Sequence, residues 1–280
     1  MTEDQISFLN QLAIRAGEDI LKVYCEPFEV LSKTDGSPVT KADAAAEKII
    51  LAGLAERFAG IPVIAEEAAE AGALPAVSSR YFLVDPLDGT KEFLKKNGEF
   101  TVNIALIEDG KPVFGVVSAP ALGEIYWGGL METASGTRTA AFTGRIENGA
   151  VADAREITVR TPPPEGLSVL ASRSHMSAET ADLIGRVMVA EQLSIGSSLK
   201  LCWVAAGRAD LYPRLAPTMQ WDIAAGDAVL RAAGGVLIHA ASGEDFVYRV
   251  PENASKDDLR NPYFIAASGR QLLQDLAPAA

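Results

Sequence analysis

Hydrophobic residues near the start of the chain recur at helical spacing. One apolar stripe consists of Ile6, Leu9, Ala13, Ala16, Ile20 and Val23. The polar positions beside it, such as Glu18 and Asp19, are largely acidic, which favours an amphipathic helix packed on a core over a helix on a membrane surface. Turn-forming residues at 33–38 precede a second helical pattern from Ala44 to about Phe58, which Thr40 or Asp43 could cap.

Short apolar runs of strand length follow in the first half. They span residues 62–65, 81–84, 102–107 and 113–118. The segment Glu-Asp-Gly-Lys at 108–111 joins the last two runs and predicts a hairpin. We expect these runs to form strands of one sheet.

The second half alternates strand-like and helical runs. The strand-like runs are 167–171, 235–240 and 263–266, and the helical ones are 179–189 and 223–233. Between the halves, residues 132–154 are rich in Gly, Thr and Ala, and the prolines at 162–164 exclude a helix or a central strand. We predict an α+β fold built of layers.

A soft domain boundary is placed near residue 145. The predicted N-terminal α+β subdomain, 1–145, carries most of the acidic candidates described below. The predicted C-terminal α/β subdomain, 146–280, carries Asp222 and the remaining polar segments.

Composition narrows the class of protein. With 280 residues, 48% hydrophobic and 22% charged, the chain is in the globular range. It has no apolar run near the roughly 20 residues of a membrane span and no basic, then apolar, N-terminus. The two cysteines, Cys25 and Cys202, are too few for a disulfide framework. We expect a cytoplasmic protein without stable membrane insertion.

The net charge of −12 restricts the partners. A field of this sign repels polyanions, and we see no basic stripe, so no nucleic-acid partner is expected. A small anionic substrate would need local cations, of which bound metal ions are the densest.

The segment Asp-Pro-Leu-Asp-Gly-Thr at 85–90 follows a predicted strand and carries the strongest local signal. Asp85 and Asp88 lie on either side of a proline, and a turn there allows both carboxylates to face one cation. Because Pro86 gives up a donor, the Leu87 carbonyl is a candidate further ligand. An ordinary surface turn is the alternative, since Asp, Pro and Gly are common turn residues.

The end of the same segment suits an anion. Gly89 allows a tight backbone, and a helix beginning near Thr90 would direct unpaired N–H groups at a phosphate. One short segment therefore predicts metal and anion contacts together.

Two other segments place acids at the ends of predicted elements. Glu66 and Glu67 follow the run 62–65, and one of them is expected to face a site, although a solvated acidic loop is the alternative. Asp222 opens the predicted helix 223–233 and could be only its N-cap. The small residues after Asp222 would let other backbone come close.

If these segments meet, four carboxylates come together. Their repulsion must then be relieved by pKa shifts or by metal ions. Oxygen ligands suit Mg²⁺, whereas zinc is disfavoured because the chain has only two histidines, neither of them near a cysteine.

At these residues the chain resembles the inositol monophosphatase superfamily of magnesium-dependent, lithium-sensitive phosphatases. The matching segments are 40–43, 66–67, 85–90, 221–226 and 233–235. A narrower resemblance, to the branch that hydrolyses nucleotide 3',5'-bisphosphates, rests on 91–93, 172–175, 196–200 and 209–214. Together these segments span most of the chain.

The resemblance implies an αβαβα sandwich of the inositol monophosphatase and fructose-1,6-bisphosphatase type, with two or three Mg²⁺ ions. The implied metal ligands are Glu66, Asp85, the Leu87 carbonyl, Asp88 and Asp222. Asp43 and Thr90, with Glu66, are the implied catalytic residues that orient the attacking water.

The implied reaction converts adenosine 3',5'-bisphosphate to AMP and phosphate. The expected substrate-binding residues are Glu66, Leu87, Asp88, Gly89, Thr90, His175, Lys200, Arg214 and Asp222. Lys200 or Arg214 would meet the second phosphate, and His175 would contact the adenosine, unless it is a loop residue without function. For Asp43 a role as an N-cap is the alternative.

Two other functions remain as alternatives. One is an inositol or sugar monophosphate phosphatase of the same superfamily. The other is a non-catalytic metal- or nucleotide-binding protein, whose expected mark, loss of a metal carboxylate, is absent. A monomer and a homodimer both fit, and a peripheral location at the inner face of the cell membrane is implied for some relatives only. Glu67, Lys41 and Cys202 receive no role.

Overall fold

The computed structural model describes residues 1–26, 38–171, 177–273 and 276. The first part of the chain contains α1 (Glu3–Cys25), α2 (Pro38–Arg57), β1 (Val63–Ala65), α3 (Glu66–Glu70), β2 (Arg80–Asp88), α4 (Thr90–Leu94), β3 (Thr101–Glu108), β4 (Lys111–Ala119), β5 (Glu124–Thr133), β6 (Gly136–Glu147) and β7 (Ala150–Ile157). The second part contains β8 (Leu167–Leu170), α5 (Ala178–Ile184), β9 (Val189–Leu193), α6 (Leu199–Ala205), β10 (Leu211–Arg214), α7 (Gln220–Ala232), β11 (Val236–His239) and β12 (Phe264–Ala267).

The strands form two sheets. In the seven-stranded sheet they follow chain order from β1 to β7, with β1 parallel to β2 and each later pair antiparallel. The predicted hairpin between β3 and β4 is confirmed, since Glu108 pairs with Lys111. The five-stranded sheet has the order β11-β12-β10-β8-β9 and mixes parallel and antiparallel pairs.

Three hydrophobic clusters show how the layers stack. The first joins α1 and α2 to one face of the seven-stranded sheet, through residues such as Leu12, Ile50 and Phe82. The second holds α6 and α7 between the two sheets, and the third packs α5 and the 3₁₀ helix Arg270–Leu273 on the outer face of the five-stranded sheet. The order of layers is αβαβα, so the predicted fold class is confirmed.

The first helix is the amphipathic element that the sequence predicts. Its apolar stripe is buried against the sheet, and Thr2 caps its N-terminus by accepting the Gln5 N–H at 3.3 Å. Across the described ranges, none of the helices combines the length and the apolar character that crossing a membrane requires.

Small residues bring α7 close to the seven-stranded sheet. A methyl group added at Gly115 in β4 would lie 2.4 Å from the Ala225 carbonyl oxygen, far inside van der Waals contact. One at Gly226 would lie 2.8 Å from Leu201 Cβ in α6. The close approach expected from the small residues after Asp222 is therefore present.

Two predictions about α2 and α5 need correction. Helix α2 begins at Pro38, so Thr40 and Asp43 lie inside it and neither caps it. Helix α5 ends at Ile184, and the rest of the predicted run 179–189 includes the start of β9 at Val189. Pro38 is the first residue of α2 that the structure describes, and proline is favoured in the first turn of a helix.

The sequence does not predict β5 to β7, nor β9, β10 and α6. Strand β7 is the edge strand of the sheet and β6 lies next to it. Both carry exposed polar residues over much of their length. The chain passes from one sheet to the other between Ile157 and Leu167, across the three prolines. The division into subdomains near residue 145 stays a prediction.

Candidate active site

The turn at the end of β2 interrupts the sheet. Asp85 lies opposite Asn103 and Asp88 lies opposite Thr101, with a shift of register between the two pairs. Asp85 is 1% exposed, and its Oδ1 accepts the Leu87 N–H at 3.0 Å. The carboxylate thus stabilises the turn around the proline. Leu87 has no partner in the β2–β3 pairing.

The segment after this turn changes direction at Gly89. Its φ of +98° falls in the left-handed region, and a methyl group there would lie 3.2 Å from the Glu99 carbonyl oxygen. Helix α4 begins at Thr90, as predicted, and Thr90 is half-buried. Gly89 and Thr90 therefore stand beside the acidic turn.

Glu66 and Glu67 are the first two residues of α3, which follows β1 without a loop. The Glu66 side chain lies within hydrogen-bonding reach of Asp85, and the Glu67 side chain lies within reach of Asp43. Two carboxyl groups can form a hydrogen bond only when one carries a proton. Both acids thus join the cluster, whereas the sequence predicts that one of them does.

Asp43 reaches this cluster from inside α2. Its side chain is only 5% exposed, and its Oδ1 has no hydrogen-bond partner among the described atoms. Burial raises the pKa of Asp43 to about 9, and the charges of Glu67, Glu66 and Glu47 add to the shift.

Asp222 is the third residue of α7 rather than its N-cap. Its Oδ2 accepts the backbone N–H of Met219, the N-cap residue, at 2.8 Å. Burial raises the pKa of Asp222, and the charges of Asp88 and Glu66 raise it further. Asp222 therefore helps to cap its helix and also belongs to the cluster.

The carboxylates influence each other across the whole cluster. Burial, followed by neighbouring charge, raises the pKa of Asp85 well above its ordinary value, and burial is the largest cause of the rise of Glu66 to about 7. Among the residues that the structure describes, no group of three or more Asp, Glu, His or Cys side chains is arranged to hold one metal ion.

Ser198 connects the parts of the site, and sequence reasoning missed it. Its backbone N–H donates to Asp88 Oδ2 at 2.7 Å, and its hydroxyl lies 3.0 Å from the same oxygen. The hydroxyl is also hydrogen-bonded to the Asp222 carbonyl oxygen and accepts from Asn103 Nδ2 at 2.8 Å. Its signal was the segment 196–200, which matches the family but does not show which residue meets Asp88.

A cleft beside the carboxylates brings in two cations. Asp88, Gly89 and Asp222 line it together with Lys200 and Arg214. Lys200 is 7% exposed and donates from Nζ to the Ser197 carbonyl oxygen at 3.1 Å. Burial lowers the pKa of Lys200 to about 8, although the Asp88 charge opposes the shift.

Arg214, the last residue of β10, is the second cation of the cleft. It donates from Nη2 to the Pro217 carbonyl oxygen at 3.1 Å, while its Nε is buried and has no hydrogen-bond partner among the described atoms. The Ser197 hydroxyl also lines the cleft, and it too is buried without a hydrogen-bond partner among the described atoms. Buried donors without acceptors suit an anion or a bridging water.

The structure brings the candidates from both halves of the chain into one region. Glu66, Asp85, Asp88 and Asp222 influence one another electrostatically, and Asp43 contacts Glu67 at the edge of the same cluster. Lys200 and Arg214 share the cleft with Asp88. His175 lies outside the described residues.

The chain belongs to the inositol monophosphatase family, a family of phosphatases, whose model matches residues 1–280. It is 45% identical to the 3'(2'),5'-bisphosphate nucleotidase CysQ of Escherichia coli K12 over 256 residues, 91% of this chain and 96% of that protein. The protein of the same name from Salmonella typhimurium is 46% identical over the same shares.

Solved structures agree in fold. The crystal structure of CysQ from Bacteroides thetaiotaomicron is similar with a TM-score of 0.76 and 37% identity, covering 94% of this chain and 96% of that one. An inositol monophosphatase from Zymomonas mobilis gives a TM-score of 0.71 and 25% identity, covering 98% and 96%. The family expected from the sequence is confirmed.

Proposed function

We propose that this chain is a magnesium-dependent 3'(2'),5'-bisphosphate nucleotidase that converts adenosine 3',5'-bisphosphate to AMP and phosphate. The observation that carries the proposal is the cleft that sets Lys200 and Arg214 beside a cluster of carboxylates. A substrate with two phosphates needs an anion site apart from its metal ions, and these two cations supply one. The names of the similar CysQ proteins support the same substrate.

The proposal includes two or three Mg²⁺ ions, which would draw these carboxylates together, since no three of the described side chains converge on one point in the metal-free arrangement. The cluster is rich in carboxylate oxygen, its acids are protonated more readily than usual, and Asp43 Oδ1 lacks a partner. The residues that would hold the ions are Glu66, Asp85, Leu87 through its carbonyl, Asp88 and Asp222. When bound, Mg²⁺ supplies charge that neutralises the phosphate and lowers the pKa of a bound water.

The residues of the chain position the reacting groups. Asp43 and Thr90, together with Glu66, orient the attacking water in line with the bond to be broken. The backbone N–H groups of Gly89 and Thr90 hold the phosphate oxygens at the start of α4. No side chain is needed as a nucleophile.

The second phosphate would be held away from the reacting one. Arg214 offers a planar guanidinium whose Nε is still free of protein partners among the described atoms, and Lys200 offers a buried point charge. His175 remains a proposed contact of the adenosine. Sugar and inositol monophosphates lack the group that these cations would bind.

A substrate panel tests the proposal. For the wild type we expect kcat/KM to be higher with adenosine 3',5'-bisphosphate than with inositol 1-phosphate, and turnover to cease on chelation and return with Mg²⁺. Arg214→Ala and Lys200→Ala should each lower kcat/KM for the nucleotide about tenfold or more, because a charged hydrogen bond is lost, and change it little for inositol 1-phosphate. The sulfated nucleotide, as a third substrate, measures the preference between the two forms.

Arg155→Ala is the matched control, since Arg155 is exposed on β7, outside the residues that line the cleft. A wild type that prefers inositol 1-phosphate, or variants that lose equally on both substrates, would contradict the nucleotide assignment and favour the sister phosphatase. Absence of turnover on every substrate with Mg²⁺ present would favour the non-catalytic alternative.

The free energy of unfolding of the metal-free protein should fall as the pH rises, and Mg²⁺ should oppose this fall. The pKa of Asp43 rises from 3.8 to about 9 on folding, and that of Glu66 from 4.5 to about 7. Between these limits the folded state holds more protons than the unfolded state, so the free energy of unfolding of the metal-free protein falls as the pH rises. Bound Mg²⁺ would favour the charged carboxylates and so displace those protons.

We therefore expect the increase in Tm on adding Mg²⁺ to be larger at pH 8 than at pH 6, measured by calorimetry in chelated and Mg²⁺-loaded samples. Binding should release protons, which titrations in buffers of different ionisation enthalpy would count. An increase in Tm that is equal at both pH values would contradict the coupling.

A further inference from the structure

Glu47 is a buried acid that is not among the proposed metal ligands. It lies in α2 with 7% of its surface exposed, and its carboxylate ends at the start of α3. Its Oε2 accepts the Glu67 N–H at 2.9 Å, and its Oε1 accepts the Ala68 N–H at 3.1 Å. Both oxygens of one buried carboxylate are thus engaged by two consecutive amides.

These two amides are the ones that a helix normally gives to its N-cap. Glu67 and Ala68 are the second and third residues of α3, and its N-cap residue, Ala65, has no side-chain acceptor. Glu47 takes over that function from a neighbouring helix. Hydrogen bonds from backbone N–H groups to a carboxylate are among the stronger ones in proteins.

The position of this cap bears on the candidate site. The first residue of α3 is Glu66, whose side chain contacts Asp85. The orientation of the first turn determines where that side chain points, so the two bonds to Glu47 act on Glu66 through the backbone.

The same helix also carries Asp43. It lies four residues before Glu47, so the two acids share one face of α2. Asp43 contacts the Glu67 side chain, while Glu47 holds the Glu67 backbone. One helix face therefore holds α3 at two points, one turn apart.

We propose that Glu47 is a positioning residue that fixes the first turn of α3 and so keeps Glu66 in place for metal binding. The proposal rests on the metal site of the proposed function. Groups that orient metal ligands are commonly needed for full metal affinity, although they do not touch the ion.

The test is Glu47→Gln, which keeps the shape but leaves one acceptor for two amides. In the metal-free protein, hydrogen exchange at the amides of Glu67 and Ala68 should become about tenfold faster. The Mg²⁺ concentration for half-maximal activity should rise about tenfold, while kcat and KM for adenosine 3',5'-bisphosphate return to within about threefold of wild type at excess Mg²⁺.

Glu56→Gln is the matched control, because Glu56 is exposed on the same helix. It should change neither the exchange rates nor the Mg²⁺ dependence. If Glu47→Gln does not fold, Glu47→Asp, with a shorter reach, replaces it and should give the same shift in exchange and in Mg²⁺ requirement.

An unchanged Mg²⁺ requirement in a folded variant would overturn the inference, and so would a loss of kcat that excess Mg²⁺ does not restore. Failure of the proposed function gives a different result. The wild type would then show no Mg²⁺-dependent turnover, while hydrogen exchange at Glu67 and Ala68 would still report whether Glu47 holds α3.

Discussion

Asp88→Asn should lower kcat/KM for adenosine 3',5'-bisphosphate by about a thousandfold at saturating Mg²⁺. A carboxylate that holds a catalytic metal supports several kcal/mol of transition-state stabilisation, and each 1.36 kcal/mol is a factor of ten. Asparagine keeps an oxygen that can accept from the Ser198 N–H and hydroxyl, so the link to α6 should survive. The change therefore removes charge with little loss of shape.

Steady-state kinetics and calorimetric Mg²⁺ binding measure the effect. Asp257→Asn, at an exposed carboxylate far along the chain, is the control and should keep the wild-type rate. The folded state of Asp88→Asn should be about as stable as the wild type without metal, because burial disfavours the Asp88 charge while Lys200 and Ser198 favour it. A variant near full activity would remove Asp88 from the metal site.

Thr90→Ala and Asp43→Asn should lower kcat about a hundredfold or more while KM changes by less than about threefold. Both side chains are proposed to orient the attacking water, an interaction that matters in the transition state rather than in substrate docking. Asp43→Asn also replaces a group whose charge interacts with that of Glu67. Single-turnover rates at saturating substrate would separate chemistry from product release.

Thr137→Ala, at an exposed residue of β6, is the control for the loss of a threonine hydroxyl. A rise in KM with unchanged kcat would make Thr90 or Asp43 a substrate-binding residue instead.

The local pattern of apolar and polar residues predicts much of the first half of the fold. Helix α1 and strands β1 to β4 follow from apolar periodicity, since each buries one stripe or run against neighbours that any layered fold supplies. Strands β6 and β7 are not predicted from the sequence, because backbone pairing with neighbouring strands, rather than burial of apolar side chains, holds them in the sheet.

The acids of the candidate site could also be chosen from the sequence. Glu66 and Asp88 stand where an element begins or ends, Asp222 lies in the first turn of α7, and Asp85 stands at the shift of register in β2. The family resemblance added Asp43, which spacing alone treats as a helix cap. The structure shows instead that Asp43 lies within α2 and faces α3.

Only the tertiary structure decided which residues connect these acids. Ser198 is 110 positions from Asp88, and Glu47 is 20 positions from Glu67, so no local pattern relates either pair. The residues that the sequence determines are those whose role follows from the backbone within a few positions. The residues that hold them in place depend on contacts between layers, which form only when α2, α6 and α7 pack around the two sheets.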